Sequence, residues 1–252
     1  MSADTVDIET QDGVCDAYLS RPDDGEAHPA VLLIMDAFGL RPQIERMADR
    51  IAEHGFVVLA PNVFYRAGRA PVAPMVDFSD PAQREVFVKV IMPLIHGLTP
   101  DLIARDGAAY LELLGEVGSG PVAITGYCMG GRVGWRLATA YPDRVAALGA
   151  FHTGGLVTDE SDSPHRSAGE LAAELYLGHA DHDDNMTPEQ IATLDLTLDA
   201  AGVRHRTELY EGALHGYTMA DTPVYNEAAA ERHFDALFAL LDRTIAADAP
   251  GA

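Results

Sequence analysis

Cysteine is nearly absent: the 252-residue chain contains two, Cys15 and Cys128. A small oxidised scaffold is held by several bridges, so this usage points to free thiols in a reducing compartment, and a cytoplasmic protein is expected. Basic residues are scarce as well. Lys and Arg total 17 against 39 Asp and Glu, a formal charge of −22. Displacing counterions from phosphates needs clustered cations, so nucleic acid and anionic membrane are disfavoured as partners. Long apolar runs are missing. The longest reach only six residues, as at 30–35, far short of the roughly 20 residues that a membrane-spanning helix requires. Residues 1–10 alternate polar and apolar side chains without a basic stretch and an apolar core, so no secretion signal is expected. Neither G-x-G-x-x-G nor G-x-x-x-x-G-K-S/T occurs, which leaves nucleotide binding without support. With no repeat, long linker or abrupt change of composition, one domain over residues 1–252 is expected.

What is present is globular composition, 48% hydrophobic and 22% charged. Residues 6–10 and 14–19 read as strands joined tightly at Asp12-Gly13, an antiparallel hairpin. Residues 30–35 and 56–60 are continuously apolar, as strands covered on both faces must be, and a helix over 42–53 separates them. Residues 61–81 hold four prolines and little periodicity, which predicts a long loop or lid. Helical patterns follow over 82–95 and 100–116, then alternating strands and helices: 121–125, 132–140, 145–151, 171–177, 188–201, 204–210 and a closing helix over 225–246. The alternation predicts an α/β fold, a doubly wound, mostly parallel sheet flanked by helices. Trp135, Val133, Leu137 and Ala138 are expected in the core.

The sharpest local signal is Gly126-Tyr127-Cys128-Met129-Gly130-Gly131, directly after one buried strand and before a helix. Glycines flanking a nucleophile let the chain turn sharply and project the central side chain at the C-terminal edge of the sheet. The helix N-terminus beside Cys128 favours negative charge there, and the Met129 amide would face an oxyanion. After the next strands but one come Gly178-His179-Ala180-Asp181-His182 and then His215. Nucleophile, acid and histidine thus stand in the order found in α/β-hydrolases, each just past a strand. Asp181 would orient His215, and His215 would take the proton from Cys128.

These motifs, with Asp36-Ala37-Phe38-Gly39 and Ala60-Pro61-Asn62-Val63-Phe64-Tyr65 after the earlier strands, make the chain resemble the dienelactone hydrolase family over nearly its whole length. The resemblance implies an α/β-hydrolase fold and a cysteine nucleophile cleaving a lactone or ester of a small molecule, with no metal or organic cofactor. It also implies that the Ala37 amide is the second oxyanion donor. Asp36 falls where the family usually has a glutamate that interacts with the resting thiol and is linked to its activation; a plain helix cap at Pro42 is the alternative. Dienelactone-degrading members hold a substrate carboxylate with two arginines. Arg84 matches one, but Met219 stands where the other would fall, so a less charged or bulkier ester is expected to be preferred. Tyr65, Arg66 and Arg69 are candidates to supplement Arg84, and His152 is a candidate to line the pocket above the turn.

His179, Asp181, His182, Asp183 and Asp184 form a dense run of potential ligands, but the spacing matches neither a zinc helix nor a calcium loop, so no metal is expected. A non-catalytic small-molecule binding or sensing protein on the same scaffold is the alternative reading, and acyl transfer is not separable from hydrolysis at this level. Monomer and homodimer are equally compatible with the sequence.

Overall fold

The computed structural model describes residues 1–76 and 80–246. The strands are β1 (Ser2–Thr10), β2 (Gly13–Arg21), β3 (Pro29–Ile34), β4 (Val57–Pro61), β5 (Ser119–Tyr127), β6 (Val145–Phe151), β7 (Glu174–Ala180) and β8 (His205–Tyr210). They form one sheet in the order β1-β2-β4-β3-β5-β6-β7-β8. β1 pairs antiparallel with β2, and β2 with β4, while β4 through β8 run parallel. Every residue of β3 and β4 is buried, as continuous apolar runs in a sheet covered on both faces require. The edge strands β1 and β8 are polar and partly exposed, a composition that discourages edge-to-edge pairing.

The helices are α1 (Pro42–Glu53), α2 (Pro81–Gly97), α3 (Pro100–Val117), α4 (Met129–Ala140), α5 (Pro188–Ala201) and α6 (Glu227–Leu241). α1 buries Ile44, Met47, Ala48, Ile51 and Ala52, one helical stripe. It shares a face of the sheet with α6, where Arg50 lies over Phe234 and His54 stacks on Phe238. α3 and α4 cover the opposite face. Thr99, Thr187 and Asn226 cap α3, α5 and α6 with their side chains, each cap contributing about 1 kcal/mol. No single helix among the described residues is long and apolar enough to cross a membrane.

The segment expected to be a loop or lid divides in two. Its first half is fastened down. Asn62 is fully buried and donates to Asp16, whose other carboxylate oxygen accepts from the Ala70 amide. The Tyr65 hydroxyl, 2.9 Å from Asp106, also accepts from Thr10, and Arg66 pairs with Asp106 and Asp12. Residues 71–76 are irregular, and residues 77–79 of the expected lid lie outside the described residues.

Three histidines are buried: His152, His179 and His233. Burial pushes His179 down to about 4 and His233 to about 3, and drives His152 well below the ordinary imidazole range. Folded values below the unfolded value of 6.5 give stability that is complete above pH 6.5 and lost as pH falls through the folded values. Each such histidine should steepen the loss by about 1.4 kcal/mol per pH unit below pH 6.5. Urea unfolding at pH 7.0, 6.0 and 5.5 should follow that slope, and His233→Gln should reduce it by one increment. An equal slope in both proteins would contradict the assignment of His233 as a buried neutral ring.

Candidate active site

Between the end of β5 and the start of α4 stands a single residue, Cys128, with φ 55° and ψ −120°. A side chain in that region costs about 1–3 kcal/mol and persists only where its surroundings enforce it. Here two glycines enforce it. A Cβ on Gly130 would lie 2.4 Å from the Ile34 carbonyl oxygen, and one on Gly126 would lie 2.3 Å from that of Gly130. Strand β3, the turn and α4 are therefore pressed together backbone to backbone. The Cys128 amide donates to the Phe151 carbonyl at 3.1 Å, and the sulfur is left partly exposed at the C-terminal edge of the sheet.

His215 lies in the irregular segment after β8, with Nε2 3.1 Å from Cys128 Sγ and Nδ1 2.6 Å from a carboxylate. That carboxylate belongs to Asp183. Asp181, the expected partner, is turned elsewhere: it accepts from the Gly212 amide and lies beside the exposed His182. The cause is the length of β7. The strand continues to Ala180 rather than ending at residue 177, and its pairing with β8 holds the chain through that point, so the turn toward His215 comes two residues later. Asp183 is buried, and its second oxygen accepts from both the backbone and side-chain amides of Asn185.

Burial acts to depress His215, but its interactions with Cys128 and Asp183 outweigh it and raise the ring to about 10. Asp183 is the complement. Burial acts to raise it, while His215 and the Asn185 amides pull it below the ordinary carboxylate range. At neutral pH the ring is therefore charged, with Nε2 directed at the Cys128 sulfur and Nδ1 at Asp183.

The amides of Met129 and Ala37 have no hydrogen-bond acceptor among the described residues. Asp36 differs from expectation. Both its oxygens are taken by Arg41, at 2.6 and 3.0 Å, and it accepts from the Phe38 amide; no hydrogen bond joins it to Cys128 among the described residues. It does not cap α1 either, because Arg41 occupies that N-cap without a side-chain bond. Arg41 also pairs with Asp221 through Nε and Nη2 and donates to the Gly39 carbonyl. This triad, buried at Asp36 and Arg41 and open to solvent at Asp221, ties the turn after β3 to the segment that carries His215.

The expected substrate contacts fare unevenly. Tyr65 is held by Thr10 and Asp106, and Arg66 and Arg69 pair with surface-strand and helix carboxylates, so these are fastenings of the segment after β4. Met219 is 1% exposed and packed in the core. His152 is equally buried and lies behind His215, facing no open space. Arg84 is exposed on α2 with no ion-pair partner among the described residues, one turn before Phe87, which packs on Phe38. Sequence reasoning missed Asp183, Arg41 and Asp221. Only Asp183 left a local trace: the spacing Asp183-Asp184-Asn185 suits a side chain accepting from an amide two residues on. Among the described residues no cluster of three or more His, Cys, Asp and Glu side chains is arranged to hold an ion.

This strand order, with a sharp turn after β5 and a histidine after β8 linked to an acid after β7, is the architecture of the α/β-hydrolases. Within that class the profile of the dienelactone hydrolase family matches residues 15–245, and the chain belongs to that family. A Salmonella typhi protein named "Putative carboxymethylenebutenolidase" is 28% identical over 243 residues, 92% of this chain and 83% of its own. The "Carboxymethylenebutenolidase homolog" of Mus musculus is 27% identical over 223 residues, covering 84% and 82%. The solved structure of a "Putative Dienelactone Hydrolase" from Klebsiella pneumoniae superposes with a TM-score of 0.84 at 20% identity, covering 96% of this chain and 98% of that one, a likeness of fold.

The two thiols differ sharply. Cys15 is fully buried, and burial raises it to about 12. Iodoacetamide at pH 7.5 should label Cys128 faster than Cys15 by roughly 100-fold or more, as read by peptide mass spectrometry. Equal labelling of the native protein would contradict the assigned environments.

Proposed function

We propose that this protein hydrolyses a small ester or lactone by covalent catalysis at Cys128, with His215 and Asp183 completing the triad. The observation that carries the proposal is the hydrogen-bonded line from Cys128 Sγ through His215 to Asp183, 3.1 and 2.6 Å. His215 takes the Cys128 proton, the sulfur attacks the substrate carbonyl, and the negative oxygen so formed is met by the Met129 and Ala37 amides, which have no other acceptor among the described residues. His215 gives its proton to the departing alkoxide, the carbon–oxygen bond breaks, and the acyl group remains on sulfur as a thioester. Water then loses a proton to His215 as it adds to the thioester. Collapse expels the sulfur and releases the acid. Asp183 holds the ring in the required tautomer and stabilises its charged form.

Asp36 has no part in this scheme as an activating carboxylate. With both oxygens on Arg41, it fixes the turn that carries Ala37, and the sulfur faces His215 without needing a substrate to release it.

The same contacts bear on substrate choice. The five N–H groups of Arg41 are directed to Asp36, Asp221 and Gly39, so Arg41 offers no free fork to a substrate carboxylate. Beside it lies an open groove of about 410 Å³ whose exposed lining is mostly apolar, from Phe38, Pro42, Pro71, Ala73, Pro74 and Met75, with Gln43, Arg46 and Asp221 also on its wall. Phe38 follows Ala37 directly, which puts apolar surface next to the proposed oxyanion site. A neutral ester with an apolar substituent suits this surface better than a charged lactone.

Two measurements test the reading. On a chromogenic short-chain ester, Cys128→Ala and His215→Ala should each lose roughly 10³-fold or more in kcat, and Asp183→Asn roughly 10²- to 10⁴-fold. Asp181→Asn should stay within about twofold, because its carboxylate contacts only the Gly212 turn and the exposed His182. Equal slow rates in wild type and all variants would favour a binding protein instead. In the second, kcat/KM for a neutral butyrate ester should exceed that for a carboxylate-bearing dienelactone, and Arg84→Ala should affect only the latter. The reverse preference would contradict the apolar-groove argument.

A further inference from the structure

We infer that His152 is the positioning residue of the His215 ring, acting from behind the site rather than touching substrate. The inference rests on the reading that His215 serves Cys128. His215 belongs to a segment without helix or strand, so its ring needs an external support. Two hydrogen bonds, to Asp183 and Cys128, fix its nitrogens, but neither prevents the ring from tilting about the line that joins them. His152 supplies the wall. The two imidazoles meet edge to face, with centroids 5.3 Å apart and planes at 67°. His152 Nε2 is also hydrogen-bonded to Thr218 Oγ1 at 2.7 Å, which pins the segment three residues beyond His215.

His152 is itself held on all sides. Its amide donates to the Gly178 carbonyl at 2.8 Å, an oxygen that also accepts from Tyr217. The Tyr217 ring stands perpendicular to it at 5.1 Å, and Tyr127 packs at 6.1 Å. Gly178 makes this possible, since a Cβ there would lie 2.9 Å from the Tyr217 hydroxyl.

Two features are costly for a residue that merely fills space. His152 has φ 39°, a left-handed conformation that non-glycine side chains avoid. Its Nδ1 is buried without a hydrogen-bond partner. A phenylalanine would fill the volume with no such orphan, but it could not hold Thr218. The titratable groups around the ring are His215 and Tyr217 on the segment after β8, Tyr127 on β5 and His233 on α6. Burial together with the neighbouring His215 keeps His152 uncharged, so it places no competing positive charge beside His215.

The test uses His152→Phe, which keeps an aromatic wall and removes the Thr218 bond, and Thr218→Val, a near-isosteric change that keeps His152. Two readouts are taken: the pH profile of Cys128 alkylation by iodoacetamide, and kcat against KM on a neutral ester. The proposal predicts that both variants keep the wild-type circular dichroism spectrum. Both should show a displaced alkylation profile, and kcat should fall roughly 10- to 100-fold with KM within about twofold. His152→Gln, able to reach Thr218 without a ring, should recover part of the His152→Phe loss. A raised KM with unchanged kcat and unchanged profile would make His152 a substrate contact and overturn the inference. Unchanged profiles with activity lost only in proportion to unfolded protein would overturn it in favour of simple packing. The alkylation readout needs no ester turnover, so failure of the hydrolase reading and failure of this inference are separately visible.

Discussion

The left-handed turn at Cys128 is the constraint on which the rest of the edge depends. A cysteine does not adopt φ 55° by preference, and nothing local to its side chain compensates for it. The compensation is distributed through the backbone contacts of Gly126 and Gly130, which bring β5, α4 and the end of β3 closer than any side chain would permit. That approach does two things at once. It lifts the sulfur out of the core, and it brings the amide of Met129 and the turn carrying Ala37 to the same edge. Packing density at the turn thereby sets where the sulfur and the two amides stand.

Around that fixed point the molecule secures its irregular segments with buried polar fastenings. The triad Asp36, Arg41 and Asp221 joins residues 180 apart in sequence and connects the turn after β3 with the segment holding His215. Breaking the buried Asp36–Arg41 pair by removing one member should cost about 3–5 kcal/mol, because the charge left behind has no buried partner. Asp106 plays a similar part under the segment after β4, where it receives both Tyr65 and Arg66. The sheet contributes rigidity, and these charge clusters determine where the loops at its edge lie.

Much of this could be read from the sequence, and the parts that could not share a physical cause. Apolar runs such as residues 145–151 and the helix over 42–53 were legible because burial on both faces, or on one stripe, dictates composition. Cys128 was legible because a sharp strand-to-helix turn demands glycines at short range. Asp183 was not, since choosing it over Asp181 requires the end of β7, and that end is fixed by pairing with β8 rather than by residues 178–180 themselves. The true partner of Asp36 was hidden for a related reason. Arg41 lies five residues away, but its orientation is also set by Asp221, far along the chain. Tyr65 and Met219 looked like pocket residues because they border the right motifs, and tertiary contacts turned both inward.

The central claim is that the Cys128 sulfur carries the acyl group during turnover. Intact-protein mass spectrometry after rapid mixing with a slowly hydrolysed ester, followed by acid quench and peptide mapping, tests it most directly. The account predicts a mass increase equal to the acyl group on the peptide containing Cys128, decaying as product appears. Turnover with no acyl mass on that peptide at any time, or with the mass on another residue, would contradict it.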